Sequence, residues 1–213
     1  MAAKRRPKIT RAYHHGDLKD ALVRSGLDLL RTEGLAALTL RGVARAAGVS
    51  QAAPYRHFAD HRALVGAVAE QGFMLLQEAM LVAVRRDTGR MGFKGIAIAY
   101  VTFGLENPAL YRIMFGAEIT READLPDLRR TGSGVLGFVR QGIEELQRQS
   151  LIGPGDAGVM ATALWSMLHG LVALALDGQT EGSGLSVAEL LAETTRIMMF
   201  GMAPRGVTPD VIA

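Results

Sequence analysis

The stretch Thr39 to Phe58, T-L-R-G-V-A-R-A-A-G-V-S-Q-A-A-P-Y-R-H-F, sets two helix-start signals on either side of a glycine, and few folds accept that spacing. Thr39 is placed to cap a helix running through Ala47, because its hydroxyl can accept a bond from a free amide of the first turn. Val43 and Ala47 share one face of that helix, Ala44 and Ala46 are small enough to let a second helix cross closely, and Gly48 can take the left-handed conformation that ends it. Val49 is then expected to turn inward and Ser50 to cap a further helix through His57. The pattern is that of a helix-turn-helix. If its second helix enters a DNA major groove, Gln51 and Ala52 meet base edges, and Tyr55, Arg56 and His57 follow as donors. Pro54 stands out. As the fourth residue of that helix it has no N–H for the first backbone bond and crowds the Ser50 carbonyl, so a tight or kinked opening turn is expected.

Charge is distributed to match. Up to Arg62 there are twelve lysines and arginines against five acidic residues, whereas the remainder of the chain holds twelve against sixteen. A basic end of this kind binds a polyanion with an affinity that falls steeply as salt rises. The run from Lys4 to Arg11 is either a loose tail or an arm reaching along phosphates or into a minor groove. With no cysteine, disulfides, thiolate zinc sites and cysteine nucleophiles are excluded. The basic start leads into Tyr13, His14 and His15 rather than an apolar stretch, so no signal peptide is expected.

In G-V-S followed by Y-R-H-F, a short link and Leu64 on the next helix, the segment from Leu18 to about Leu64 resembles the TetR family of one-component transcriptional regulators. The resemblance implies an all-α chain: a three-helix, helix-turn-helix head over 1–62, with its N-terminal arm, and a helical ligand-binding and dimerising body over 63–213. It further implies that Thr39, Tyr55, His57 and Arg62 hold phosphates while Gln51 and Ala52 face the groove. Arg41, Ser50 and Arg56 complete the candidate DNA-binding set. The implied partners are a double-stranded DNA operator, a small-molecule effector and a second copy of the chain. No cofactor, metal or membrane is expected, and the location implied is cytoplasmic.

Leu18, Ala21, Leu22, Ser25 and Leu29 form a helical stripe after Asp17, a suitable cap, and Gly34 ends it. From His61, the spacing of Leu64, Val68, Phe73, Leu76, Met80 and Val84 predicts one long connecting helix. Arg85 to Gly92 reads as a turn, a helix through Ile96, Tyr100 and Phe103 ends near Asn107, and Pro108 opens a short one. Thr120 to Asp127 reads as a surface loop before a helix from about Leu128 to Gln149. That helix contains Gly132, Gly134 and Gly137, which either weaken it or admit a partner.

Ala157 to Leu176 contains no charged residue and is long enough to cross a membrane. Thr162, Ser166, His169, Gly158 and Gly170 lie inside it, and no basic cluster flanks it. Burial between two subunits is therefore the preferred reading. Ser186 and Glu189 form a capping box for a last helix. The dimer residues expected from these two helices are Val159, Ala163, Val187, Leu190, Leu191, Thr194, Ile197 and Met198, arranged as a four-helix bundle across a twofold axis.

Trp165-Ser166-Met167-Leu168-His169-Gly170 resembles the W-x-x-x-H-G motif of one class of TetR-type body, and Asn107 to Phe115 looks like its companion short helix. Trp165 and His169 are four apart on one face, where they either line a cavity or lock a core by hydrogen bonds, and Gly170 is expected to admit a neighbouring helix. The candidate pocket residues are Phe73, Phe103, Tyr111, Met114, Phe115, Trp165, Met167 and His169, suited to a small, largely apolar effector. An enzyme is not expected. His57 and His61 have the spacing of a helical zinc pair, but a loop is expected between them, and no H-E-x-x-H, G-x-S-x-G or phosphate-loop pattern occurs.

Overall fold

The structure, a computed structural model, describes residues 15–86, 92–116 and 125–202. Among these residues lie eight α-helices, three single 3-10 turns and no strand, so the chain is all-α. It divides into two compact units, one reaching Leu64 and the other starting at Val65. The basic run Lys4 to Arg11 lies outside the described residues, as do residues 120–124 of the expected surface loop.

In the first unit, α1 (His15–Glu33) starts two residues before Asp17, the cap expected from the sequence, and ends at Gly34 with φ 80°. Next, α2 (Leu40–Ala46) opens as expected, with the Gly42 N–H donating to Thr39 Oγ1 at 2.9 Å. Leu22, Leu30, Leu38, Val43, Ala44, Phe58 and Leu64 are all 2% exposed or less and form the core. Ala44 is fully buried, and a close approach that the sequence does not signal lies at Gly42. A Cβ there would lie 2.4 Å from the Ala37 carbonyl oxygen, while Ala46 is exposed. Gly48 takes φ 67° and turns the chain, and Val49 is half-buried.

The connecting helix α3 (His61–Arg86) starts as expected and runs past Val84, so Arg85 and Arg86 are helix rather than turn. Of the turn expected over Arg85 to Gly92, Gly92 opens the next helix and residues 87–91 lie outside the described residues. The start of α3 is fixed by two bonds that the sequence reading did not anticipate. The Ala63 N–H donates to Asp60 Oδ1 at 2.8 Å, and His61 Nε2 donates to the Leu38 carbonyl at 2.7 Å. Phe58 to Asp60 form the loop separating His57 from His61, and among the described residues no group of three or more metal-ligating side chains occurs.

The second unit continues with α4 (Gly92–Glu106), α5 (Pro108–Phe115), α6 (Pro126–Arg148), α7 (Ala157–Leu176) and α8 (Val187–Met202). Pro108 and Pro126 stand at first helical positions, where a missing N–H costs no bond. On α6, Leu128, Val135, Val139 and Ile143 are the buried stripe. It begins two residues ahead of Leu128, so Pro126 and Asp127 are helix rather than loop. Asp156 caps α7 by accepting from the Val159 N–H at 2.9 Å. The expected capping box opens α8, with Glu189 Oε2 accepting from the Ser186 N–H at 2.8 Å and from its hydroxyl at 2.7 Å. These bonds hold the Glu189 carboxyl below its ordinary pKa.

α7 packs against α4, α6 and α8. Within the chain the close contact does not fall at Gly170, where a Cβ would meet nothing within 4 Å. It occurs at Gly104 on α4, where a Cβ would stand 2.6 Å from Val172 Cγ1 and 3.2 Å from the Tyr111 ring. By length and composition α3 and α7 are both apolar enough to cross a membrane, with mean hydropathies of 1.3 and 1.8.

Candidate functional site

Three groups of residues carry the functional question, and the first is the exposed end of the helix-turn-helix. Thr39, Arg41, Ser50, Gln51, Ala52, Tyr55 and Arg56 are exposed, Tyr55 to 55%, whereas His57 and Arg62 are half-buried. Because Thr39 Oγ1 already accepts from Gly42, its hydroxyl proton stays available to donate outward. The expected second helix over Gln51–His57 is not an α-helix. Residues 51 and 52 form a turn and Pro54–Arg56 a single 3-10 turn, and Ser50 does not serve as the cap of an α-helix. The cause is Pro54, which has no N–H to give the Ser50 carbonyl; the Ala53 N–H occupies that carbonyl at 3.0 Å instead.

The second group lies in the larger unit, where α3, α4, α5 and α7 bring together an aromatic cluster. Phe73 meets Phe115 edge-on at 5.2 Å, Phe115 stands 4.7 Å from both Tyr111 and His169, and His169 stacks on Tyr111 at 5.5 Å. Trp165 closes the group at 5.9 Å from His169 and 6.2 Å from Phe115. Five of the eight expected pocket residues are thereby assembled. Met114 is fully buried and packs against Gly72, and no ring contact joins Phe103 to the cluster among the described residues. Met167 is half-buried on α7.

Through this cluster runs a chain of hydrogen bonds whose hub, Tyr100, was read from the sequence only as a helix-face residue. Trp165 Nε1 donates to the Tyr100 hydroxyl at 3.0 Å, the two tyrosine hydroxyls are 3.0 Å apart, and the Tyr111 hydroxyl is 2.7 Å from His169 Nδ1. One direction uses every donor: Trp165 to Tyr100, Tyr100 to Tyr111, and Tyr111 to an unprotonated Nδ1. The opposite direction leaves the Tyr100 proton, inside a side chain 1% exposed, without an acceptor. Burial pushes the Tyr100 hydroxyl up to about 12, and burial together with Tyr100 pushes Tyr111 above the ordinary tyrosine range, so both keep the protons they donate. A buried tyrosine needs a partner, which is the only sequence signal for Tyr100. Its partner lies 65 residues away.

Burial lowers the His169 pKa below its ordinary value of 6.5. As pH falls, the unfolded chain therefore takes up this proton before the folded one does. The contribution to stability is complete above about pH 6.5 and is lost as pH drops through the lowered value. Urea unfolding at pH 8 and pH 5.5 should show that loss in the parent protein and a smaller one in His169→Asn. An equal loss in both would remove His169 as its source.

The third group is an uncovered apolar surface on α7 and α8. Val159 is 68% exposed, Ile197 63% and Phe200 56%, and Thr162, Ala163 and Ser166 are also exposed. A depression on α7 is lined by Asp156, Gly158, Val159, Thr162, Ala163 and Ser166. Val187, Leu190, Thr194 and Met198 are half-buried. Leu191, expected on the same face, is turned into the core of its own chain at 7% exposure, while Phe200 joins the exposed group unanticipated.

Comparison with known proteins adds an independent line. Residues 22–68 match the family described as bacterial regulatory proteins, tetR family, and residues 93–198 match the tetracyclin repressor-like C-terminal domain. The tetracycline repressor protein class C of Escherichia coli is 44% identical over 52 residues, 24% of this chain and 24% of that protein. The matched stretch thus spans about a quarter of the length of that curated relative. A solved structure of a protein of unknown function from Rhodococcus sp. RHA1 is 33% identical, covers 91% of this chain and 99% of its own, and superposes with a TM-score of 0.78. A TetR family transcription regulator from Marinobacter aquaeolei VT8, 21% identical with a TM-score of 0.64, covers 88% of this chain and 96% of its own and shares the fold.

Proposed function

The chain belongs to the TetR family of DNA-binding transcriptional regulators, and from that premise we propose that it is a homodimeric repressor released from its operator by a small, largely apolar effector. The observation that carries the reading is the exposed set Thr39, Arg41, Ser50, Gln51, Ala52, Tyr55 and Arg56 on a head with its own buried core. His57 and Arg62, half-buried beside them, serve as further phosphate donors. In this assignment Thr39, Tyr55 and His57 position the protein on phosphates and Gln51 and Ala52 read base edges. Replacing Tyr55 by Ala should weaken binding to all DNA sequences alike with the salt slope little changed, because its neutral hydroxyl displaces no counterion, whereas Gln51→Ala should change which sequence is preferred. Selection from a random DNA pool at several salt concentrations checks both, and a changed preference for Tyr55→Ala would reverse the roles.

The effector site lies in the body, which we assign to the W-x-x-x-H-G class, around Trp165, His169, Tyr111, Phe115 and Phe73, with Phe103, Met114 and Met167 as its apolar surroundings. The aromatic cluster supports this, because its Phe73, Tyr111, Phe115 and Trp165 side chains are uncharged and offer an apolar ligand ring faces and edges. Effector binding favours a dimer geometry in which the two heads no longer match half-sites about 34–36 Å apart. Trp165, the single tryptophan, reports the event: a compound that frees the operator without altering its fluorescence does not bind beside it. The uncovered faces of α7 and α8 support the twofold dimer, and their burial against a second copy is the reading preferred over a membrane span. The protein then acts in the cytoplasm, away from any membrane.

A further inference from the structure

We propose that Pro54 is a specificity-determining residue of the DNA-reading element, acting through backbone shape rather than through contact with a base. The inference rests on the assignment of the head to DNA and asks which local geometry presents its reading side chains. From Ser50 to His57 the backbone is a series of three-residue turns. Ala53 N–H bonds the Ser50 carbonyl at 3.0 Å, Arg56 N–H the Ala53 carbonyl at 3.2 Å, and His57 N–H the Pro54 carbonyl at 2.9 Å. Only at Phe58 does a four-residue bond return, to the same Pro54 carbonyl at 2.9 Å.

Two properties of proline produce this. It lacks the N–H that would reach Ser50 in an α-helix, and its ring excludes the carbonyl four residues back from the helical position. The ring is also an anchor, since Pro54 is buried, as is Phe58 four residues on. The pairs Gln51–Ala52 and Tyr55–Arg56 are left exposed on either side of it. In an α-helix successive residues turn by about 100° and rise 1.5 Å, whereas in a 3-10 turn they turn by about 120° and rise 2.0 Å. The conformation imposed at position 54 therefore sets the angle and distance between the pair that reads bases and Tyr55, which is assigned to phosphate. The fixed φ of proline also limits how far the segment can readjust on DNA. Gln51 addresses the base edge that this geometry offers.

The test uses the full chain with Pro54→Ala, which restores the N–H, and Pro54→Leu, which restores it and keeps a bulky apolar anchor. Each is put through random-pool DNA selection, with thermal unfolding as a check on folding. The expected result is a changed half-site, with the relative affinity for the parent and variant sites altered about tenfold and an unchanged salt slope. Gln51→Ala should also affect base preference differently in the Pro54→Ala background than alone. Selection of the parent half-site with all affinities scaled alike, or strict additivity with Gln51→Ala, would overturn the proposal. Loss of folding in both Pro54 variants would do so too, by reducing Pro54 to an anchor. A parent protein that selects no sequence would instead remove the DNA assignment of the head, and this inference with it.

Discussion

Ile197→Asp should leave the protein monomeric at micromolar concentration and lower operator affinity by two orders of magnitude or more. Ile197 is 63% exposed, one helical turn before Phe200 at 56%, while α7 carries Val159 at 68%. Val159 and Leu174 on α7 with Ile197 and Phe200 on α8 leave large apolar side chains facing out, as Met74, Leu75 and Ile98 do on α3 and α4, and a twofold interface through α7 and α8 brings each substituted position into the contact twice. An unpaired carboxylate taken into such a contact costs several kcal/mol, and every 1.4 kcal/mol is tenfold in the dissociation constant. Two such charges raise the dimer constant by about a thousandfold or more. DNA affinity follows because simultaneous binding of two half-sites multiplies single-site affinity by about 10²–10⁴. Sedimentation velocity reads the first effect and titration of a fluorescent operator the second. Leu35→Asp is the control, since Leu35 is 49% exposed but lies in the head. A variant at Ile197 that remains dimeric would place the subunit contact elsewhere.

Tyr100→Phe should lower stability by about 2 kcal/mol, because it removes the acceptor of the Trp165 N–H and the hydroxyl that meets Tyr111. In a chain of this size that corresponds to a fall of roughly 4–8 °C in Tm. Tyr111→Phe should cost a similar amount, since it takes the donor from His169 Nδ1 and the acceptor from Tyr100. The double replacement should cost less than the two together, because each single change already breaks the bond that the tyrosines share. A strictly additive double mutant would show that the chain does not act as a unit. Trp165 fluorescence should shift more in Tyr100→Phe than in Tyr111→Phe, as only Tyr100 holds the indole nitrogen.

What could be read from the amino acids alone was set by near neighbours in the chain. Thr39 capping α2, the capping box of Ser186 with Glu189, the proline opening α5 and the left-handed Gly48 all involve groups within a few residues of one another. Their chemistry admits one arrangement, and the motif Gly48 to Phe58 carried the family with it. Pro54 was legible as an obstacle, but the burial of its ring and the 3-10 turn standing in place of an α-helix emerge only in the folded chain.

The remainder was decided by packing between segments far apart in sequence. In the body Gly104 on α4 takes a close approach because Val172 on α7 arrives against it. α7 is apolar all round, so no periodicity could say that Leu164 and Leu168 point inward while Val159 faces out. The partners of Trp165 and His169 were likewise fixed only when α4 and α5 came alongside. Backbone capping is a local bargain between adjacent groups, but a buried hydroxyl takes whichever donor or acceptor the fold delivers to it, and only the folded chain names that group.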